Sequence, residues 1–390
     1  MLTVAEARAR VLAAVGAPSA PEHVPVATAL DRVLAAPVRA TGDVPPFASS
    51  AMDGWAVRAG ASGRVRVVGE SRAGRPAATA PGAGEAVRIS TGAAVPPGAA
   101  VVRLEDAREE GDEVVLEGEA APGANVRSAG EDMRAGQEVV AAGTRLGPAE
   151  LAAAVAAGLG HVEVARPPSL SVLCTGDELR PPGAPLGPGE IHNSNGVGLL
   201  GLARRAGAEV SGLALVRDDA DATRDALAGA LVRARVVVVS GGVSVGPHDH
   251  VKPALAALGV HEVFWRVALQ PGKPTWFGTR DDTLVFGLPG NPVSALVCFH
   301  LFVAPALRAL QGAEPIGHIV VARLAHDVRP NPDRLQALRV RLEGDETGFF
   351  ARTTGPQGSH LVTSLVGAQG LALVPPGGGA AGEWVPVEML

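Results

Sequence analysis

A chain of 390 residues with 47% apolar side chains, 3% aromatic ones and no tyrosine has room for roughly two to four domains with cores of Ala, Val and Leu. Its net charge is −6 and its 34 Lys and Arg are scattered, which excludes the clustered basic footprint of a nucleic-acid surface. No uninterrupted apolar run reaches membrane-spanning length, the start MLTVAEARARVL is amphipathic and unlike a signal peptide, and Cys174 and Cys298 stand alone in apolar runs. A cytoplasmic protein without a membrane partner is expected.

Taken in order, Val4, Ala7, Val11, Leu12 and Val15 recur at helical spacing behind a Thr3–Glu6 capping box. A second short helix is predicted near Val26–Leu34. After Pro37 the pattern changes to short alternating runs at Val65–Val68, Ala86–Ile89, Val101–Leu104, Val114–Leu116 and Glu138–Val140, separated by Pro-Gly turns. Residues 1–165 therefore read as an N-terminal region of two subdomains, the inner one, about 40–145, β-rich, extended and discontinuous with the outer. Gly147-Pro148 introduces a helix over Ala149–Gly158, and Arg166-Pro167-Pro168 is a linker.

From 166 to 312 strands and helices alternate. Strands are predicted at Leu170–Cys174, Ser211–Val216, Val236–Val239, His261–Val267 and Thr283–Gly287, with helices between and a long helix over Val293–Leu310. This predicts a doubly wound, mainly parallel sheet with helices on both faces. Beyond Gly312 the runs alternate again, so 313–390 reads as a small all-β domain.

The segment RVVVVSGGVSVGPHDH, Arg235 to His250, focuses the functional reading. Four β-branched residues make a strand buried on both faces, and Ser240, Gly241, Gly242 and Ser244 follow in a loop able to approach an anion closely. Asp249 adds a carboxylate for a cation. Taken by itself such a loop is equally an ordinary turn. Three more junctions after strands carry polar groups: Thr175 to Glu178, Arg217-Asp218-Asp219, and Leu288-Pro289-Gly290-Asn291-Pro292. Asp219 is placed as a helix cap. Asn291 can cap the last helix and Pro292 suits its first position, leaving free N–H groups for an anion. Strand ends of a parallel sheet cluster, so the four junctions fit chemistry on a phosphate or similar oxyanion with Mg²⁺.

The motifs PPFASSAMDGWA, RISTGA, GEDMRAG, CTGDEL, IHNSN, VRDD, SGGVSVGPHD, PGKP and FGLPGNPVS, in this order, resemble the MoeA family of molybdopterin molybdenumtransferases, to which the gephyrin E domain is related. The resemblance implies a β-rich N-terminal region, a MogA-like α/β domain over 166–312 and a C-terminal β-barrel over 313–390. It also implies a homodimer whose site is shared between subunits, with a MogA-type adenylyltransferase as a further partner. The implied reaction is the last step of molybdenum cofactor synthesis, in which adenylylated molybdopterin and molybdate react with Mg²⁺ and AMP is released. By motif match, Asp53, Thr91, Asp132, Glu178, Asp218 and Asp249 form the acidic and polar set, with Glu178, Asp218 and Asp249 as metal ligands or substrate-orienting groups. Ser240, Gly241, Gly242, Ser244, Pro289, Gly290, Asn291 and Pro292 receive the pterin phosphate or AMP part. Lys273, Pro274, Arg334 and Ser359 match the molybdate-holding positions. Trp55 stands where the family has Tyr, Gln270 where it often has a second lysine, and Pro247-His248 where Glu-Ala is usual. A nucleotidyltransferase and a non-catalytic scaffold are the competing readings.

Overall fold

The computed structural model describes residues 1–243 and 249–390; Ser244 and His248 lie outside the described residues. The amino-terminal helix Val4–Ala13 has its capping box, with Thr3 Oγ1 accepting from the Glu6 N–H and Glu6 accepting from the Thr3 N–H at 2.8 Å. Its buried face of Val4, Ala7 and Val11 packs into the core of the α/β domain. On its other side Arg8 grips Glu388 of the C-terminal domain at 2.9 Å, with both side chains largely buried.

Pro21–Pro25 pairs antiparallel with His161–Ala165, and Val38–Arg39 pairs with Glu138–Val140. Between these outgoing and returning arms lies a six-stranded sheet, Gly54–Arg58 to Glu113–Leu116, which buries Trp55, Val57, Val65 and Val114 on one face. Trp55 is thus a core residue, 1% exposed, with the Arg88 guanidinium 5.4 Å from its ring centre. The helix expected near Val26–Leu34 does not form. Only a single 3-10 turn, Val26–Thr28, is present, Asp31 turns the backbone to φ 64°, and the Leu34 N–H donates to Thr144. Neighbouring chain takes the hydrogen bonds that a helix would have kept for itself.

The α/β domain is a six-stranded sheet. Its strands are β1 (Ser169–Thr175), β2 (Glu209–Val216), β3 (Val236–Ser240), β4 (His261–Trp265), β5 (Trp276–Arg280) and β6 (Thr283–Leu288), in spatial order β2-β1-β3-β6-β5-β4. The first four are parallel, β5 runs antiparallel to them, and β4 pairs antiparallel with β5 and so points the same way as the first four. Every residue of β3 is buried, as its run of valines requires when helices cover both faces. Register aligns Cys174 with Ser240 and Ser240 with Leu288, while Thr175 lies opposite Val216. All four polar junctions therefore start at one sheet edge.

Pro292–Leu310 follows β6 as one continuous helix with a π turn at Phe299–Val303. It alone among the described residues is long and apolar enough to cross a bilayer, but 83% of it is buried against the sheet and the other helices, so it is a core helix. The C-terminal strands Ile319–Leu324, Leu335–Asp345, Gly348–Thr353, Gly370–Val374 and Trp384–Met389 close into a five-stranded barrel. Leu269–Gln270 of the α/β domain joins that barrel sheet, pairing in parallel with Leu335–Gln336.

Candidate active site

A cavity of about 600 Å³ opens at the carboxyl edge of the sheet. Three of the four junctions line it, through Thr175 and Glu178 after β1, Ser240 to Val243 after β3, and Pro289 to Pro292 after β6. Glycines at its centre are required twice over. Gly241 and Gly242 have φ of 96° and 64°, and a Cβ on Gly241 would lie 2.8 Å from both the carbonyl and the hydroxyl oxygen of Thr175. The Thr175 hydroxyl is buried and has no hydrogen-bond partner among the described residues. A polar atom stranded beside a bare backbone marks a place for a ligand oxygen.

Asn195 fastens the cavity together, donating to the Ser240 hydroxyl at 2.9 Å and to the Gly290 carbonyl at 2.7 Å. Asn193 caps the following helix through the Gly196 N–H. Site assignment from the sequence omitted both asparagines, along with His192 and His360, which also line the cavity. The signal was present as IHNSN, two asparagines flanking a helix start directly after a strand. Asn291, expected to cap the last helix, does not do so; its amide donates to Ser359 at 3.0 Å, and the Val293 N–H donates to the Ser359 carbonyl. The barrel loop Gln357–His360 thus forms part of the wall. Burial pushes the Cys174 thiol up to about 11 and that of Cys298 to about 12, which keeps both protonated and unreactive near neutral pH.

The carboxylates are distributed. Glu178 lines the cavity, its side chain folded over Gly176. Asp218 stands outside the lining and exchanges hydrogen bonds with Asp177: each carboxylate accepts from the other residue's N–H, at 3.4 and 3.3 Å. Asp219 accepts from Ala222 as the cap of Ala220–Arg233. Asp249 is half-buried at the start of the next described segment. Among the described residues no three His, Cys, Asp or Glu side chains are grouped to hold one metal ion.

Backbone contacts bring the oxyanion candidates close. Val267 N–H donates to the Lys273 carbonyl, and Leu335 N–H donates to the Ala268 carbonyl, so the lysine loop and the turn before Leu335 meet on adjacent residues. Pro274 lines the cavity and Lys273 is exposed. The neighbouring Asn331 side chain donates to Gln270 and accepts from the Asp333 and Arg334 N–H groups. A second arginine, absent from the sequence-based site, has the more unusual setting. Arg339 is fully buried, donates to Ser364 at 3.1 Å and to the Gly358 carbonyl at 3.3 Å, and leaves Nη1 without a partner. The carbonyl it bonds belongs to the residue before Ser359, and burial pushes its guanidinium down to about 10. Nothing in spacing or composition separated Arg339 from its neighbours in LQALRVRL, where it reads as one side of a strand.

The remaining candidates lie in the N-terminal region. Asp53 accepts from the Thr91 N–H at 2.7 Å. Asp132 lines a concavity of about 560 Å³ with Ser49, Gly92 and Arg127, beside an exposed Phe47. This concavity shares no lining residue with the α/β cavity.

Fold and cavity together define a three-part protein with an open cavity at the carboxyl edge of a doubly wound sheet, the place where such sheets take their ligands. Three family profiles match the chain: the MoeA N-terminal region (domain I and II) over residues 2–158, a probable molybdopterin binding domain over 171–309, and the MoeA C-terminal region (domain IV) over 321–390. The chain belongs to the MoeA family. A molybdopterin molybdenumtransferase of Haemophilus influenzae is 34% identical, covering 100% of this chain and 98% of the relative. Molybdopterin molybdenumtransferase 2 of Mycobacterium tuberculosis is 37% identical over 91% of each. A solved molybdopterin biosynthesis MoeA protein of Pyrococcus horikoshii superposes with a TM-score of 0.82 at 35% identity, covering 100% of this chain and 99% of that one.

Proposed function

We propose that this chain is a molybdopterin molybdenumtransferase, an enzyme that inserts molybdate into adenylylated molybdopterin and releases AMP. The observation that carries the reading is the in-register delivery of Thr175, Gly241 and Pro289 to one cavity, with the Thr175 hydroxyl buried and unpartnered among the described residues. Main-chain N–H groups at Gly242, Gly290 and Asn291, which line the cavity, suit phosphate oxygens. Lys273 and Ser359, backed by Arg339, suit the molybdate dianion, and in this reading Arg339 takes the role that the motif match gave to Arg334.

Glu178 offers a hard oxygen donor at the cavity wall, and among the described residues no closed cage of side chains surrounds it. That donor set fits Mg²⁺ carried largely by substrate phosphates and water, with Asp218 and Asp249 orienting substrate or water. Bound there, Mg²⁺ would neutralise phosphate charge as the anhydride gives up AMP. Asp53, Thr91 and Asp132 would complete the cavity from a second subunit in a homodimer; the separateness of the two concavities and the exposed Phe47 and Met52 support this.

Incubation with adenylylated molybdopterin, molybdate and Mg²⁺ tests the reading. AMP should appear only when molybdate is present, together with cofactor able to reconstitute an apo-molybdoenzyme. Formation of the adenylate from ATP and molybdopterin, without AMP release, would show an adenylyltransferase instead. Neither reaction would leave the scaffold.

A further inference from the structure

A second, roomier cavity lies elsewhere. About 810 Å³ in volume, it lies where the N-terminal region, the α/β domain and the barrel meet. Its lining includes Arg32, Arg145, Arg204, Arg205 and Arg308, set against the side-chain carboxylates of Asp31 and Glu209 and the carboxyl group of Leu390, which Arg205 holds. Arg32 is paired with Glu22 and Arg145 with Asp31. The other three have no side-chain carboxylate partner among the described residues. Arg205 donates to the Leu390 main-chain oxygen at 2.7 Å and Arg308 to the Pro315 carbonyl at 3.2 Å.

His300, 7% exposed, also lines this cavity. Glu388 lies 3.7 Å away, but both of its oxygens are already held by Arg8. Burial, with Arg308, Arg8 and Arg205 nearby, pushes the imidazole down to about 4, so at neutral pH it is an uncharged hydrogen-bonding group. Arg308 is pushed down as well, by burial first and then by Arg145. Burial is the main cause of both displacements, and the neighbouring guanidinium groups add to it. In a chain with net charge −6, so concentrated an excess of guanidinium groups is held at a cost in repulsion that an anion would remove.

We propose that this junction cavity binds a small, multiply charged phosphate-class anion, using Arg204, Arg205 and Arg308 as the charged contacts and His300 as a neutral one. Planar guanidinium forks match tetrahedral oxyanions in pairs, and the volume admits a ligand of nucleotide size. Because the wall comes from all three parts of the chain, occupancy would favour their assembled arrangement over any opened form.

Titration calorimetry of the full chain with inorganic pyrophosphate, in metal-free buffer at constant ionic strength, tests this. Arg204→Gln/Arg205→Gln, both exposed positions, should weaken binding by at least about tenfold while leaving AMP release from saturating substrate unchanged. Gly241→Ala should leave this binding intact, which separates it from binding in the α/β cavity. Soaked crystals should show paired tetrahedral density against Arg308. No measurable heat, equal affinity in the double variant, or density at crystal concentration only would each overturn the proposal.

Discussion

Arg339 and Arg334 divide the oxyanion question at the scale of single residues. A guanidinium with no exposed surface and a spare donor is expensive unless something completes its shell, whereas Arg334 is half-buried at a turn. Arg339→Lys keeps the charge but loses the fork. It should raise the molybdate concentration needed for half-maximal AMP release by about tenfold or more, with affinity for the adenylylated pterin little changed. Arg334→Ala should alter stability by no more than about 0.5 kcal/mol and leave molybdate use near its starting level. Kinetics at varied molybdate, alongside thermal melting of each variant, check both, and the reverse ranking would return the role to Arg334. Lys273 and Ser359 were legible as a charge and a hydroxyl in rigid turns. Arg339 was hidden, because its significance comes from burial and from a missing partner.

Among elements, the loop after β3 sets the tightest constraint. Gly241→Ala forces a side chain onto φ 96° and into the Thr175 oxygens, costing about 1–3 kcal/mol, and it closes the approach to the cavity floor. Calorimetry should show loss of AMP binding larger than the loss of stability. An alanine variant binding AMP as tightly as the parent would remove the loop from the site. Strands here were easy to read, since β-branched runs between glycines have few other uses. The error fell at Val26–Leu34, where apolar spacing suited a helix but partners at Thr144 and Val164, far away in sequence, claimed the backbone. Asn291 makes no capping bond for the same reason: the Ser359 carbonyl of the barrel takes the Val293 N–H that the Asn291 side chain would have accepted. Local chemistry predicts what a segment can do, and distant chain decides which option is used.

For the whole molecule, the α/β, barrel and β-rich parts could be read from changes of period along the chain, because alternation and helical spacing are properties of each segment. How the parts meet could not. Asp132 lines a concavity separate from that of Glu178 and Gly241, the bonded pair Asp53 and Thr91 lines neither, and only a second subunit joins them to the α/β cavity in the proposed homodimer. Mixing equal amounts of Asp53→Ala and Glu178→Gln chains after subunit exchange should therefore restore roughly a quarter of the parent rate, since half the dimers are mixed and each has one intact site. Separate chains should each be nearly inactive. A mixture no better than its components would place both residues in one subunit's site or exclude the dimer.

The pairing of Leu269–Gln270 with Leu335–Gln336 has a consequence for turnover. A main-chain seam, reinforced by Ala268 with Leu335 and by Gln270 with Asn331, welds the barrel to the stretch that leads into the lysine loop. These two bodies cannot hinge apart without tearing backbone bonds, so cargo exchange has to proceed with that flank shut. Any breathing that admits pterin and discharges nucleotide belongs on the opposite bank of the cleft.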